Sequence, residues 1–73
     1  MNSMNARRTV TFTTHARHTL GCTRKVAHTL SGQPEIGRQL SANKYIREIV
    51  LFGYRILYLL EEREILVITA RAV

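Results

Sequence analysis

The sequence predicts an α+β domain built from a short N-terminal strand, one main helix or a shortened helical hairpin, and then a three-stranded antiparallel meander. Three observations lead there. Thr9-Val10-Thr11-Phe12-Thr13 alternates hydroxyl and apolar side chains, the period of two that belongs to a strand with one wet face. Apolar residues at helical spacing follow it. Beyond Gly32-Gln33-Pro34, three runs rich in β-branched and aromatic residues are separated by turn signals. At 73 residues the chain is too short for a second core, so residues 1–73 are read as one domain, with 1–8 expected to be disordered.

Each element has a local reason. Thr9–Thr13 is the first strand, and Thr14 is placed to cap a helix over His15–Leu30, along which Ala16, Leu20, Thr23, Ala27 and Leu30 recur at helical spacing. Gly21 weakens the interior of that helix, whereas Gly32 and Pro34 end it. The three later strands are Lys44–Phe52, Tyr54–Leu60 and Glu64–Arg71, with reversals at Gly53 and at Glu61-Glu62-Arg63. In the middle strand Tyr54, Ile56 and Tyr58 face one side while Arg55, Leu57 and Leu59 face the other. In the last, Ile65, Val67 and Thr69 oppose Leu66, Ile68 and Ala70. Sheet edges after Phe12 and beside the last strand are expected to be open, which offers unpaired backbone to an added strand.

Charge is distributed unevenly. Eleven Lys and Arg against five acidic residues give a net +6, and the first acidic residue is Glu35. Such a field favours an anionic partner without choosing among nucleic acid, acidic protein and membrane surface. The longest apolar runs, Ile49–Phe52 and Ile56–Leu60, are too short to span a bilayer, so no membrane partner is expected. Cys22 is the single cysteine and has no internal disulfide partner, which fits a reducing compartment. His15, His18 and Cys22 fall at i, i+3 and i+7 of the expected helix. Structural zinc takes four ligands with paired spacing, and no fourth is placed to join them, so neither a metal nor a cofactor is expected.

Pro34-Glu35-Ile36-Gly37-Arg38, then Arg47-Glu48-Ile49-Val50, then Tyr54-Arg55-Ile56-Leu57-Tyr58, closing on Ile65-Leu66-Val67-Ile68-Thr69-Ala70-Arg71, resemble the RelE/ParE superfamily of bacterial toxins. The resemblance is strongest over 33–71 and lies in the order and spacing of the pieces. It implies a toxin of a type II toxin–antitoxin system, chromosomal or plasmid-stabilising, which inhibits growth in the cytoplasm until a cognate antitoxin neutralises it. A homodimer and a toxin–antitoxin hetero-oligomer are both compatible with it. Two departures stand beside the matches. Family members usually carry a helical hairpin of about forty residues before the proline-glycine turn, where this chain has about twenty, and they commonly continue into a basic His- or Tyr-containing tail after the last strand.

The resemblance divides the candidate chemistry in two. RNA-cleaving RelE members cut messenger RNA on the ribosome, which requires a base, an acid and cations for the phosphorane charge. Here Arg55 and Arg71 match the cations and Glu48 is a candidate base, but Ile46, Glu48 and Val50 stand where basic residues are usual and no His or Tyr follows Arg71. The balance favours the ParE branch, which poisons DNA gyrase by binding, with Arg38, Lys44, Arg47, Arg55, Arg71, Tyr54 and Tyr58 as candidate contacts. A ribosome-dependent endoribonuclease and a shortened, inactive relative serving as an interaction module are the alternatives. Arg47 and Arg55 also have a plainer role open to them as cross-strand partners of Glu48 or of the Glu61–Glu64 turn, and the tyrosines as cover for the core.

Overall fold

A computed structural model describes residues 8–73, and the expectation of disorder over residues 1–7 lies outside them. Arg8, also expected to be disordered, is placed: its Nε donates to the Glu61 carbonyl at 2.7 Å. The elements in order are β1 (Thr9–Phe12), α1 (Thr14–Thr19), α2 (Thr23–Gly32), β2 (Arg38–Gln39), β3 (Ile46–Leu51), β4 (Tyr54–Leu60) and β5 (Glu64–Ala72). They form a five-stranded mixed sheet in the order β1-β5-β4-β3-β2, with β1 parallel to β5 and the other neighbours antiparallel.

This architecture corrects the expected one, a short strand, one main helix or a shortened helical hairpin, and then a separate three-stranded meander. Two short helices lie between strands, the expected first strand joins the sheet in parallel beside β5, and the unexpected β2 is added at the other side. The helix breaks because the apolar residues change phase. Ala16 and Leu20 are four apart, as are Val26 and Leu30, but six residues separate Leu20 from Val26. At about 100° per residue, a continuous helix would swing Val26 roughly 120° away from Leu20. Extended backbone at Leu20 (φ −86°, ψ 123°), followed by Gly21, resets the phase so that all four side chains reach the core. The cap of α1 is Thr13 rather than Thr14: its hydroxyl accepts from the Ala16 N–H at 3.1 Å.

Two-residue β2 carries no period a sequence can display, and it is held by register against Glu48 and Arg47 of β3. The expected open edge of β5 is covered. β1 pairs with it from Glu64 to Val67, and the chain then turns into α1, which packs against the remainder. The sheet edges are therefore β1 and β2.

The core lies between the helices and one face of the sheet, where Ala16, Leu20, Val26, Leu30, Ile56, Tyr58, Ile65, Val67 and Ala70 are buried. Each large member contributes about 1.5–3 kcal/mol by leaving water. The β3–β4 reversal is a two-residue turn between the paired residues Leu51 and Tyr54, with positive φ at both Phe52 (54°) and Gly53 (84°), as a type I′ hairpin requires. Among the described residues, no helix is long and apolar enough to cross a membrane.

Candidate functional site

The face of the sheet away from the core owes its second cleft arginine, Arg71, to a bulge in β5. Leu57 pairs with Thr69 and Tyr58 with Val67, so Ile68 is an extra residue opposite that step. Strict alternation from Ile65 would send Thr69 and Arg71 towards the helices, as the sequence suggests. With the bulge, Ala70 takes the buried position and Thr69 and Arg71 turn to the other face. The Thr13 hydroxyl, while capping α1, donates to the Ile68 carbonyl at 2.6 Å and so fixes the bulge to the helix that follows β1.

Arg71 consequently stands directly across from Arg55. Both are exposed, and Arg71 makes no hydrogen bond or ion pair among the described residues. Glu48 on β3 shares this face and bridges two guanidiniums, with Oε1 3.0 Å from Arg38 Nη2 and Oε2 3.3 Å from Arg55 Nη1. The Arg38 hydrogen bond, opposed by desolvation and joined by Arg55, holds the Glu48 carboxyl below its ordinary 4.5. Three guanidiniums and one carboxylate thus form a row across β2, β3, β4 and β5.

An open cleft of about 510 Å³ lies over the Glu48, Arg55 and Arg71 part of this row. His15 and Thr19 of α1 wall one side, with Glu48, Arg55, Thr69 and Arg71 among the sheet residues that line the rest. An anion entering it meets two adjacent planar forks suited to paired oxygens, with hydroxyl and imidazole groups at the rim. His15, Thr19 and Thr69 escape the sequence reading of this site. Packing of α1 beside β5 brings in the first two, and the bulge brings in the third, neither of which a linear pattern displays.

Of the residues expected to bind a target, Arg38, Arg55 and Arg71 come together, joined by Glu48, the candidate base of the nuclease reading, and four others do not. Arg47 pairs in register with Tyr58 and so lies on the helix face, where its Nη1 donates to the carbonyls of Gly37 at 2.6 Å and Glu35 at 3.1 Å. Its Nε is buried without a partner among the described residues. This arginine fastens the loop before β2 and is not on the cleft face. Tyr58 is wholly buried, accepting from the Gly37 N–H at 2.9 Å and donating to the Pro34 carbonyl at 2.7 Å, which leaves no ring face for a ligand. Tyr54 packs against the same core. Lys44 precedes β3 with its ammonium over the Tyr45 ring, 5.4 Å from the centroid.

The Gly37 position explains the glycine of the proline-glycine turn. A Cβ there would lie 2.9 Å from both the Glu48 carbonyl oxygen and the Tyr58 hydroxyl. The i, i+3, i+7 face of His15, His18 and Cys22 does not form, because the break at Gly21 separates Cys22 from α1. No cluster of three potential metal ligands occurs among the described residues.

No protein-family model matches the chain, and no curated protein matches it.

Proposed function

We propose that the chain is the toxin component of a type II toxin–antitoxin system, ParE-like, which acts in the cytoplasm by binding a cellular target such as DNA gyrase and is neutralised by a cognate antitoxin. The observation that carries this reading is the exposed Arg55–Arg71 pair. Like charges directly opposite one another weaken a sheet, so their juxtaposition is the kind of local cost found where a surface serves binding. An anionic target surface removes the repulsion on contact. The resemblance over 33–71, which leans to the ParE branch, supports gyrase as the target. For the antitoxin, β1 offers a free outer edge, and the β3 backbone beyond Glu48 has no paired strand outside it among the described residues.

His15 favours a second reading, a RelE-like endoribonuclease acting on ribosome-bound messenger RNA. The sequence supplies Arg55, Arg71 and Glu48 but no acid to go with them, and the structure adds an imidazole that lines the same cleft as the two arginines. Induced expression in a bacterial host separates the readings. Growth arrest with inhibited supercoiling and intact message supports the gyrase poison. Arrest with cleaved message, lost in Arg55→Ala, supports the nuclease. Undisturbed growth supports the shortened, inactive relative.

A further inference from the structure

We infer that Glu48 is an internal competitor for the cleft: in the free protein its carboxylate occupies Arg55, and a phosphodiester ligand binds by displacing it while Arg38 retains the released carboxylate. The inference rests on the reading of the Arg55–Arg71 face as an anion-binding surface; by naming a phosphodiester ligand it goes with the second, RNA-directed reading of that face and not with the gyrase poison, and it adds a regulator.

The geometry is that of a carboxylate shared between unequal holders. Glu48 is the least exposed of the three partners, at 16% of its side chain, and sits centrally on β3. Arg38, 77% exposed on the short edge strand β2, approaches one oxygen at 3.0 Å. Arg55, 44% exposed, approaches the other at the longer 3.3 Å. Loss of the Arg55 contact therefore leaves Glu48 with a closer cation, and Arg55 free to turn towards Arg71.

Arg71 has no internal carboxylate of its own among the described residues, so the two cleft arginines differ: one is open and one is occupied. A ligand bearing one isolated carboxylate gains only an exchange of like for like at Arg55. A nucleic-acid strand presents successive phosphates, each suited to a guanidinium fork, and engages both arginines at once. Glu48 thereby sets a threshold that favours a phosphodiester strand over scattered acidic side chains.

Fluorescence anisotropy with a short labelled single-stranded oligouridylate, at fixed salt, tests this on the full chain. Glu48→Gln tightens binding about three- to tenfold, from loss of both the competing ion pair and its repulsion of phosphate. Glu48→Asp, too short to span both guanidiniums, tightens it to a smaller extent. Glu62→Gln changes net charge equally but lies in the β4–β5 turn, and its effect is about twofold or less at physiological ionic strength. Arg38→Gln weakens binding in the native chain, and this loss shrinks when Glu48→Gln is also present.

Equal tightening by Glu48→Gln and Glu62→Gln overturns the inference and leaves the anion-binding face standing. A glutamate-rich peptide that gains as much from Glu48→Gln as the oligonucleotide does overturns the phosphodiester assignment. Absence of binding by both the native chain and Glu48→Gln overturns the inference together with the nucleic-acid reading of this face.

Discussion

Arg55 and Arg71 face each other across β4 and β5 on the side of the sheet away from the core, and the extra residue Ile68 is what brings Arg71 there. A chain of causes runs from one hydroxyl to this pair. Thr13 caps α1 and holds the Ile68 carbonyl, the bulge reverses the phase of β5, and the reversal buries Ala70 while exposing Arg71. Local backbone chemistry thus decides which face of the sheet Arg71 charges.

If the arginine pair serves binding and not folding, removing one member relieves repulsion. Arg71→Gln is expected to raise stability by about 0.2–1 kcal/mol in urea denaturation while weakening growth arrest. A variant that loses stability instead assigns Arg71 a structural role.

Thr13 joins two elements through one oxygen. Thr13→Val is expected to cost about 0.5–2 kcal/mol, the range for a lost helix cap, and to speed amide exchange around Ile68. The adjacent Thr14→Val, exposed and outside the cap, is expected to stay within about 0.5 kcal/mol of the native chain. Equal losses from the two substitutions would contradict the role given to Thr13.

Tyr58 makes both bonds of its hydroxyl in the core, so Tyr58→Phe strands the Gly37 N–H and the Pro34 carbonyl at a cost of about 1–3 kcal/mol. Burial, opposed by the Gly37 hydrogen bond, pushes the Tyr58 hydroxyl above its ordinary 10.0. A raised folded-state value means that this contribution is intact below pH 10.0 and is lost as pH climbs through the elevated value. Thermal midpoints above that pH are expected to fall more steeply for the native chain than for Tyr58→Phe.

Gly37→Ala is expected to destabilise by about 1–3 kcal/mol, since the new methyl meets the Glu48 backbone and the fixed Tyr58 ring with no flexible neighbour to yield. Arg47→Ala removes both carbonyl contacts of the same loop, and is expected to lower stability with no direct effect on cleft affinity in folded protein. Circular dichroism melts and the anisotropy titration measure the two separately.

At the acid end Glu48 sets the sign. Its folded-state pKa lies below 4.5, so its contribution is present above that value and is lost as pH falls through the lowered one. Melting midpoints recorded from neutral pH down are expected to drop less in Glu48→Gln than in the native chain below pH 4.5.

The sequence displays strands where side chains alternate over several residues, which is how β1, β3, β4 and β5 leave a pattern. It does not display β2, whose two residues are too few for any period, nor the parallel pairing of β1 with β5, which joins residues 55 apart. The break at Gly21 is legible afterwards in the six-residue gap between Leu20 and Val26, but only once the buried set is known. At the site, Arg55 and Glu48 can be assigned to a common exposed face by alternation. Arg71 cannot, because the bulge inverts the rule, and Arg47 is misassigned because its charge suggests solvent while its strand phase directs it to loop carbonyls.

Growth after induced expression tests the central claim most directly, comparing the native chain with an Arg55→Gln/Arg71→Gln double variant verified as folded by its melting curve. Arrest by the native chain and normal growth with the folded double variant is the outcome predicted here. Equal arrest by both chains, or by neither, would contradict a role for the paired guanidiniums in toxicity.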